Sequence, residues 1–162
     1  MQIVTADDIR ASFINCSKGE AERIWVPRDL AERPWGHLDF LGWRDPGAPQ
    51  RNYIVTERDG ALVGVALRSA PGVPARVGMC SLCLTTHPGD GVSLMTAHKA
   101  GESGRKGNSV GIPICTDLDC SLYVRQKKQP MLGGRLNETL SIDEQIRRVR
   151  HNVLGFIASV EA

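Results

Sequence analysis

Two pairs of cysteines offer the most definite chemistry in this chain: Cys80 and Cys83 as Cys-x2-Cys, then Cys115 and Cys120 as Cys-x4-Cys. Each spacing lets two thiolates reach one ion from a tight turn. Four such sulfurs form the tetrahedral shell that zinc takes, at about 2.3 Å per bond, without redox chemistry. A closed four-sulfur shell leaves no coordination position for water, so the ion is expected to be structural, and metal-dependent hydrolysis is argued against. The shell is also formally dianionic, and Lys99, Arg105 or backbone N–H groups are expected to offset it. His87, four residues after Cys83, is the alternative ligand in a three-cysteine, one-histidine shell.

Other arrangements with the right residue types carry less. Five cysteines in a chain read as cytoplasmic argue against a disulfide framework, because cytosolic thiols stay reduced and an odd count leaves one unpaired. The fifth, Cys16, reads as a small buried hydrophobe on an apolar helix face. His37-Leu38-Asp39 with Cys16 has catalytic residue types, but a lone His beside an Asp in an aromatic-rich loop reads as structural. Gly101-x-x-Gly104-x-x-Gly107 lacks the Gly-Lys-Ser/Thr ending of a phosphate loop and precedes a strand. No catalytic residue is assigned, and the chain reads as a binding protein, not an enzyme.

The elements around the cysteines must bring the two pairs together. Val92-Ser93-Leu94-Met95-Thr96-Ala97 and Ser109-Val110-Gly111-Ile112-Pro113-Ile114 read as strands joined by a Gly-rich loop, with Pro113 marking an edge strand or a bulge. A knuckle at the first pair, this hairpin, and a helix beginning at the second pair compose a treble clef over about residues 79–125. Asp117 and Asp119 suit the positive end of that helix.

Thr5 and Asp8 form a capping box ahead of Ile9, Phe13, Ile14 and Cys16 on one helical face, stopped at Gly19, and a second short helix is expected near 20–25. From Pro27 to Pro49 the prolines suggest irregular structure in which Trp35, Leu38, Phe40, Leu41 and Trp43 cover the core edge. Residues 52–56 and 61–68, separated by Asp59-Gly60, read as a β-hairpin, ended by a Pro/Gly loop at 70–78. After Gly133-Gly134, Ser141 and Glu144 form another capping box. Ile142, Ile146, Val149, Val153, Leu154, Ile157 and Val160 then keep helical spacing, with Arg147, Arg148, Arg150 and His151 on a solvated face.

The expected fold class is therefore α+β: a small antiparallel sheet with a treble-clef zinc finger, N-terminal helices and a C-terminal amphipathic helix. A helical segment is expected over 1–30 and the α+β domain over 31–162. The 162 residues are 41% hydrophobic and 23% charged, enough for one real core, and no apolar run is long enough for a membrane span. Net charge is only +2, but its distribution is uneven. Residues 99–135 carry Lys99, Arg105, Lys106, Arg125, Lys127, Lys128 and Arg135 against Glu102, Asp117 and Asp119. A basic surplus beside the cysteines favours an anionic partner, RNA or an acidic protein face. Tyr123 is the only aromatic in that stretch available for base stacking, which favours protein or ribosomal contacts over direct RNA binding.

Met79-Cys80-Ser81-Leu82-Cys83 and the run from Gly111 through Cys115-Thr116-Asp117-Leu118-Asp119-Cys120 to Leu122 resemble the zinc-finger domain of the elongation factor G-binding proteins, the fusidic-acid resistance family. Phe40 to Pro46 and Leu62 to Arg68 resemble short relatives of that domain, and the likeness covers about residues 35–160. The resemblance implies a zinc-binding, translation-associated protein that docks on elongation factor G or the ribosome, with zinc ligands at Cys80, Cys83, Cys115 and Cys120. It also implies a partner-contacting surface around the finger, at Leu84, Arg105, Lys106, Tyr123 and Arg125. The resistance proteins carry a longer N-terminal helical bundle than the 30 or so residues that precede the similar region here.

Overall fold

The computed structural model describes residues 1–70, 75–131, 134 and 137–162. Thr5 accepts the Asp8 N–H while the Asp8 carboxylate accepts the Thr5 N–H, starting helix α1 (Ala6–Ala11). The expected helical face ends early: Ser12 caps α1, and Phe13 instead bridges to Gly64 of a later strand. Ser17 and Glu20 form a second capping box, which starts α2 (Lys18–Glu22), slightly earlier than expected. Two 3-10 turns, Leu30–Glu32 and Trp35–His37, follow.

The stretch expected to be irregular contains strand β1 (Phe40–Arg44), paired along its whole length with β2 (Arg51–Arg58). The Asp59-Gly60 turn, with both residues at positive φ, leads to β3 (Ala61–Ser69). Within the expected Pro/Gly loop, Ala75–Met79 form β4, which pairs with β5 (Thr86–Gly89); residues 71–74 lie outside the described residues. The expected second hairpin is β6 (Val92–His98) and β7 (Ser109–Cys115), and its Gly-rich connection holds a single helical turn, α3 (Gly101–Arg105). One more short helix, α4 (Cys120–Val124), precedes α5 (Ile142–Glu161), which starts at the expected Ser141/Glu144 capping box. Of the glycine pair ahead of α5, Gly134 is hydrogen-bonded through its carbonyl to Thr86, while Gly133 lies outside the described residues, as does Arg135.

The main sheet is antiparallel, in the order β1-β2-β3-β6-β7. Pro113 therefore lies on an edge strand, where its missing N–H breaks no ladder, and its carbonyl accepts the Ser81 N–H at 2.8 Å. Both faces of the central strands are covered, which explains the continuous apolar run Tyr53-Ile54-Val55. On one face Phe40, Ile54, Val65 and Met95 pack with the four paired cysteines and with Val149, Val153 and Ile157 of α5. On the other, Leu41, Trp43, Tyr53 and Val55 pack with Ile9, Ile24 and Trp35 of the N-terminal segment. Of the residues expected to cover the core edge, Trp35, Leu38, Leu41 and Trp43 thus build a second core, while Phe40 packs on the cysteine side. Among the described residues no helix is long and apolar enough to cross a membrane.

Candidate metal centre

The two cysteine pairs meet at one end of the β6–β7 hairpin. In the first, the Leu84 N–H donates to the Cys80 carbonyl at 2.9 Å, and Leu84 takes φ +59° to close the knuckle. In the second, the Leu118 N–H donates to the Cys115 carbonyl at 2.9 Å with Leu118 at φ +61°, so the chain turns before Cys120 opens α4. The same geometry, a tight turn closed by a leucine in left-handed conformation, thus presents each pair.

All four thiols are fully buried, and their sulfurs lie within 4.8 Å of one another. Cys80 Sγ is 3.6 Å from Cys120 Sγ, and Cys83 Sγ is 3.6 Å from Cys115 Sγ. Those separations are far too long for disulfides. They match the edge of a sulfur tetrahedron around zinc, which is about 3.8 Å for bonds near 2.3 Å. Without a cation the four thiols cannot all ionise together. Hydrogen bonds from Cys115, Cys120 and Cys80 push the Cys83 pKa far down, while the same network pushes Cys120 far up. A divalent ion at the centre removes that conflict, so the four thiols suit one structural zinc ion. When bound it would hold both turns at fixed separation, with every position in its shell filled by sulfur.

His87 is buried, with Nε2 3.3 Å from Cys115 Sγ, and the four cysteines already complete a tetrahedral set. It stands beside the sulfurs as a hydrogen-bonding neighbour, its ring edge-on to Tyr123 at 4.8 Å between centroids. The Leu82 N–H donates to Cys80 Sγ at 3.4 Å, and Thr85 Oγ1 lies 3.3 Å from Cys83 Sγ. The Leu82 N–H is one of the backbone donors expected to offset the shell's charge, whereas Lys99 and Arg105 do not reach it. Cys115 pairs with Val92 and Ser109 with His98, so Lys99 and Arg105 lie at the far end of the hairpin, roughly 20 Å away along strands that rise about 3.4 Å per residue. Arg148, read from sequence as solvated, is instead half-buried and paired with Glu138.

Sequence reasoning missed a second cluster that fastens the finger to the rest of the fold. The Asp39 carboxylate is fully buried and receives Arg125 at 2.5 and 2.9 Å and Arg150 at 2.8 Å, while the Asp39 N–H donates to Ser121 Oγ at 3.0 Å. This joins the start of β1 to α4 and α5. Asp117 accepts the Tyr123 hydroxyl at 2.6 Å and Lys128 at 3.0 Å, and Lys128 also reaches Asp119 at 2.6 Å. Burial works against ionisation of Asp117, but the Tyr123 and Lys128 hydrogen bonds outweigh it and keep the carboxyl below its ordinary range.

The five residues expected at a partner surface do not come together. Tyr123 is 4% exposed and Arg125 is held by Asp39, so both face inward. Leu84 sits half-buried at the knuckle, while Arg105 and Lys106 are exposed at the opposite end of the hairpin, Lys106 paired with Glu102 at 2.8 Å. His37 is exposed and Asp39 is consumed by arginines, so the His37-Leu38-Asp39 run forms no catalytic set with Cys16. Cys16 lies beyond α1, half-buried on the opposite face of the sheet.

A knuckle, a hairpin and a short helix bringing four thiols to one point define a treble-clef zinc-binding protein of the α+β class. The family described as the FBP C-terminal treble-clef zinc-finger matches residues 8–160, and the chain belongs to that family. It is also similar to the solved structure of the fusidic acid resistance protein FusC, with a TM-score of 0.59 and 15% identity over 98% of this chain. The match spans 59% of the FusC chain, and at this identity it shows a shared fold. No curated protein matches the chain in sequence.

Proposed function

We propose that this protein is a cytoplasmic, non-enzymatic adaptor that docks on elongation factor G or the ribosome and modulates translation, with one zinc ion fixing the shape of its docking surface. The observation that carries the reading is the closed shell: four buried sulfurs leave the ion no open position for a substrate or water, so the metal serves shape. A surface already held rigid loses little conformational freedom on docking, which favours protein recognition. Membership of the treble-clef family and the fold shared with FusC support the same partner class.

In this reading Leu84, Arg105 and Lys106 contact the partner. Tyr123 and Arg125 act indirectly, by holding the finger in place. The test is recovery of partners from cytosol on zinc-loaded protein, comparing the native chain with Cys115→Ser and with Arg105→Glu/Lys106→Glu. Elongation factor G or ribosomes are expected with the native chain only, while the charge-reversed variant keeps its zinc. Affinity for RNA alone, falling steeply with salt and with no retention of elongation factor G, would replace this reading with direct RNA binding.

A further inference from the structure

The face of the sheet opposite the metal centre carries an arrangement the fold itself does not require. Arg51 on β2 stands directly across from Arg68 on β3, and Arg68 in turn opposes Thr96 on β6. Cross-strand partners project to the same face, and like charges placed so are destabilising unless something neutralises them. Arg23, at the end of α2, joins them around a cavity of about 290 Å³. Among the described residues, none of the three guanidinium groups has an ion pair or a side-chain hydrogen bond.

The lining has one carboxylate, Glu20, which accepts the Ser17 N–H at 2.8 Å and hydroxyl at 2.7 Å and acts on Arg23 and Arg51 only through space, without a direct ion pair. Three arginines against one acid leave the cavity with a surplus of two positive charges. Tyr53, Ile24 and Ala66 supply an apolar wall beside the arginines, and Asn15 holds the rim by donating to the carbonyls of Ala66 at 2.9 Å and His98 at 3.0 Å.

We propose that this cleft binds a small organic molecule carrying a phosphate dianion. Guanidinium forks match phosphate oxygens bidentately, and the charge surplus matches a dianion. The apolar wall and the cavity's size suit an organic group attached to the phosphate rather than a bare ion. Occupancy would also relieve the repulsion between Arg51 and Arg68, tightening the β2–β3 pairing. The site shares no residue with the metal centre or with Leu84, Arg105 and Lys106, so it stands or falls independently of translation-factor docking.

The experiment uses the full zinc-loaded chain, with phenyl phosphate as probe and backbone amide NMR shifts as readout, at fixed ionic strength. Saturable shifts are expected at Arg51, Tyr53, Ala66, Arg68 and Thr96. Arg51→Gln/Arg68→Gln should weaken binding at least tenfold, as should Arg23→Gln, whereas Arg28→Gln, outside the cleft, should not. The double variant without phosphate should unfold at a temperature no lower than that of the native chain, since it removes a repulsion. Absence of saturation, equal binding by the double variant, or shifts centred on Arg105 and Lys106 would overturn the proposal. Displacement of the probe by an RNA oligonucleotide lacking terminal phosphates would overturn it in favour of a nucleic-acid groove.

Discussion

Gly42 of β1 lies against Leu118, the turn residue between the second pair of cysteines, so closely that a Cβ on Gly42 would fall 2.5 Å from Leu118 Cβ. The sheet and the finger are packed with no room for a methyl group at this point. Gly42→Ala must displace Leu118 or bend β1. A loss of about 1–3 kcal/mol is expected in urea unfolding of the zinc-loaded protein, accompanied by weaker zinc retention. Gly64→Ala makes the reciprocal comparison, because its Cβ would meet Ser12 Oγ at 2.6 Å on the opposite face. It should destabilise similarly while leaving zinc retention unchanged.

Metal content separates the four clustered thiols from the fifth. Any one of Cys80→Ser, Cys83→Ser, Cys115→Ser and Cys120→Ser should abolish stoichiometric zinc in elemental analysis of purified protein, whereas Cys16→Ser should retain one ion per chain. A chelator should strip the native protein more readily as pH falls, because the ligands must be thiolates and protons compete for them.

The Asp39 cluster should be among the most sensitive points outside the metal site. Asp39→Asn leaves the largely buried Arg125 guanidinium without its counter-charge. Removing one partner of a buried ion pair costs roughly 3–5 kcal/mol. Thermal unfolding of the variant should show a loss on that scale, whereas Arg150→Gln, at a side chain 57% exposed, should cost far less.

The N-terminal end of α5 gives a pH signature. The Ser141 N–H and hydroxyl hydrogen bonds hold the Glu144 carboxyl below its ordinary value of 4.5. A carboxyl lowered in the folded state stabilises fully above its unfolded pKa, and that contribution disappears as pH falls through the lower, folded value. Glu144→Gln should therefore lower stability near neutral pH and converge with the native chain in acid. Ser141→Ala removes the cap itself, at a cost of about 1 kcal/mol, read as a shift of the urea midpoint.

Local chemistry made two hairpins and two of the capping boxes legible in sequence, though not the Ser17/Glu20 box that starts α2. Asp59 and Gly60 adopt the positive φ values a two-residue hairpin demands, and Ser141 with Glu144 closes the reciprocal cap at α5. Cysteine spacing likewise pointed to the metal centre. Strand β1 was hidden because its pairing with β2 outweighs the prolines that flank it, and β4 because tertiary pairing with β5 overrides glycine-rich composition.

Charge was the poorest guide. The basic surplus of residues 99–135 is partly spent on the chain's own carboxylates, Arg125 on buried Asp39, Lys128 on Asp117 and Asp119, and Lys106 on Glu102 at the surface. Meanwhile Arg51 and Arg68 are brought face to face by strand register, and Arg23 joins them from the end of α2. Distances along the chain carry no trace of that convergence.

The five-stranded sheet, by keeping its two cores on opposite faces, also divides the molecule optically. Trp35 and Trp43 pack in the core remote from the sulfurs, and the Trp25 carbonyl accepts the Trp43 indole N–H at 2.8 Å. Indole emission therefore watches one side of the protein, while Tyr123 and the sulfur-to-metal absorption watch the other. Stripping the ion while the fluorescence stays constant would mean that damage stops at the sheet; a simultaneous change would mean that the strands transmit it.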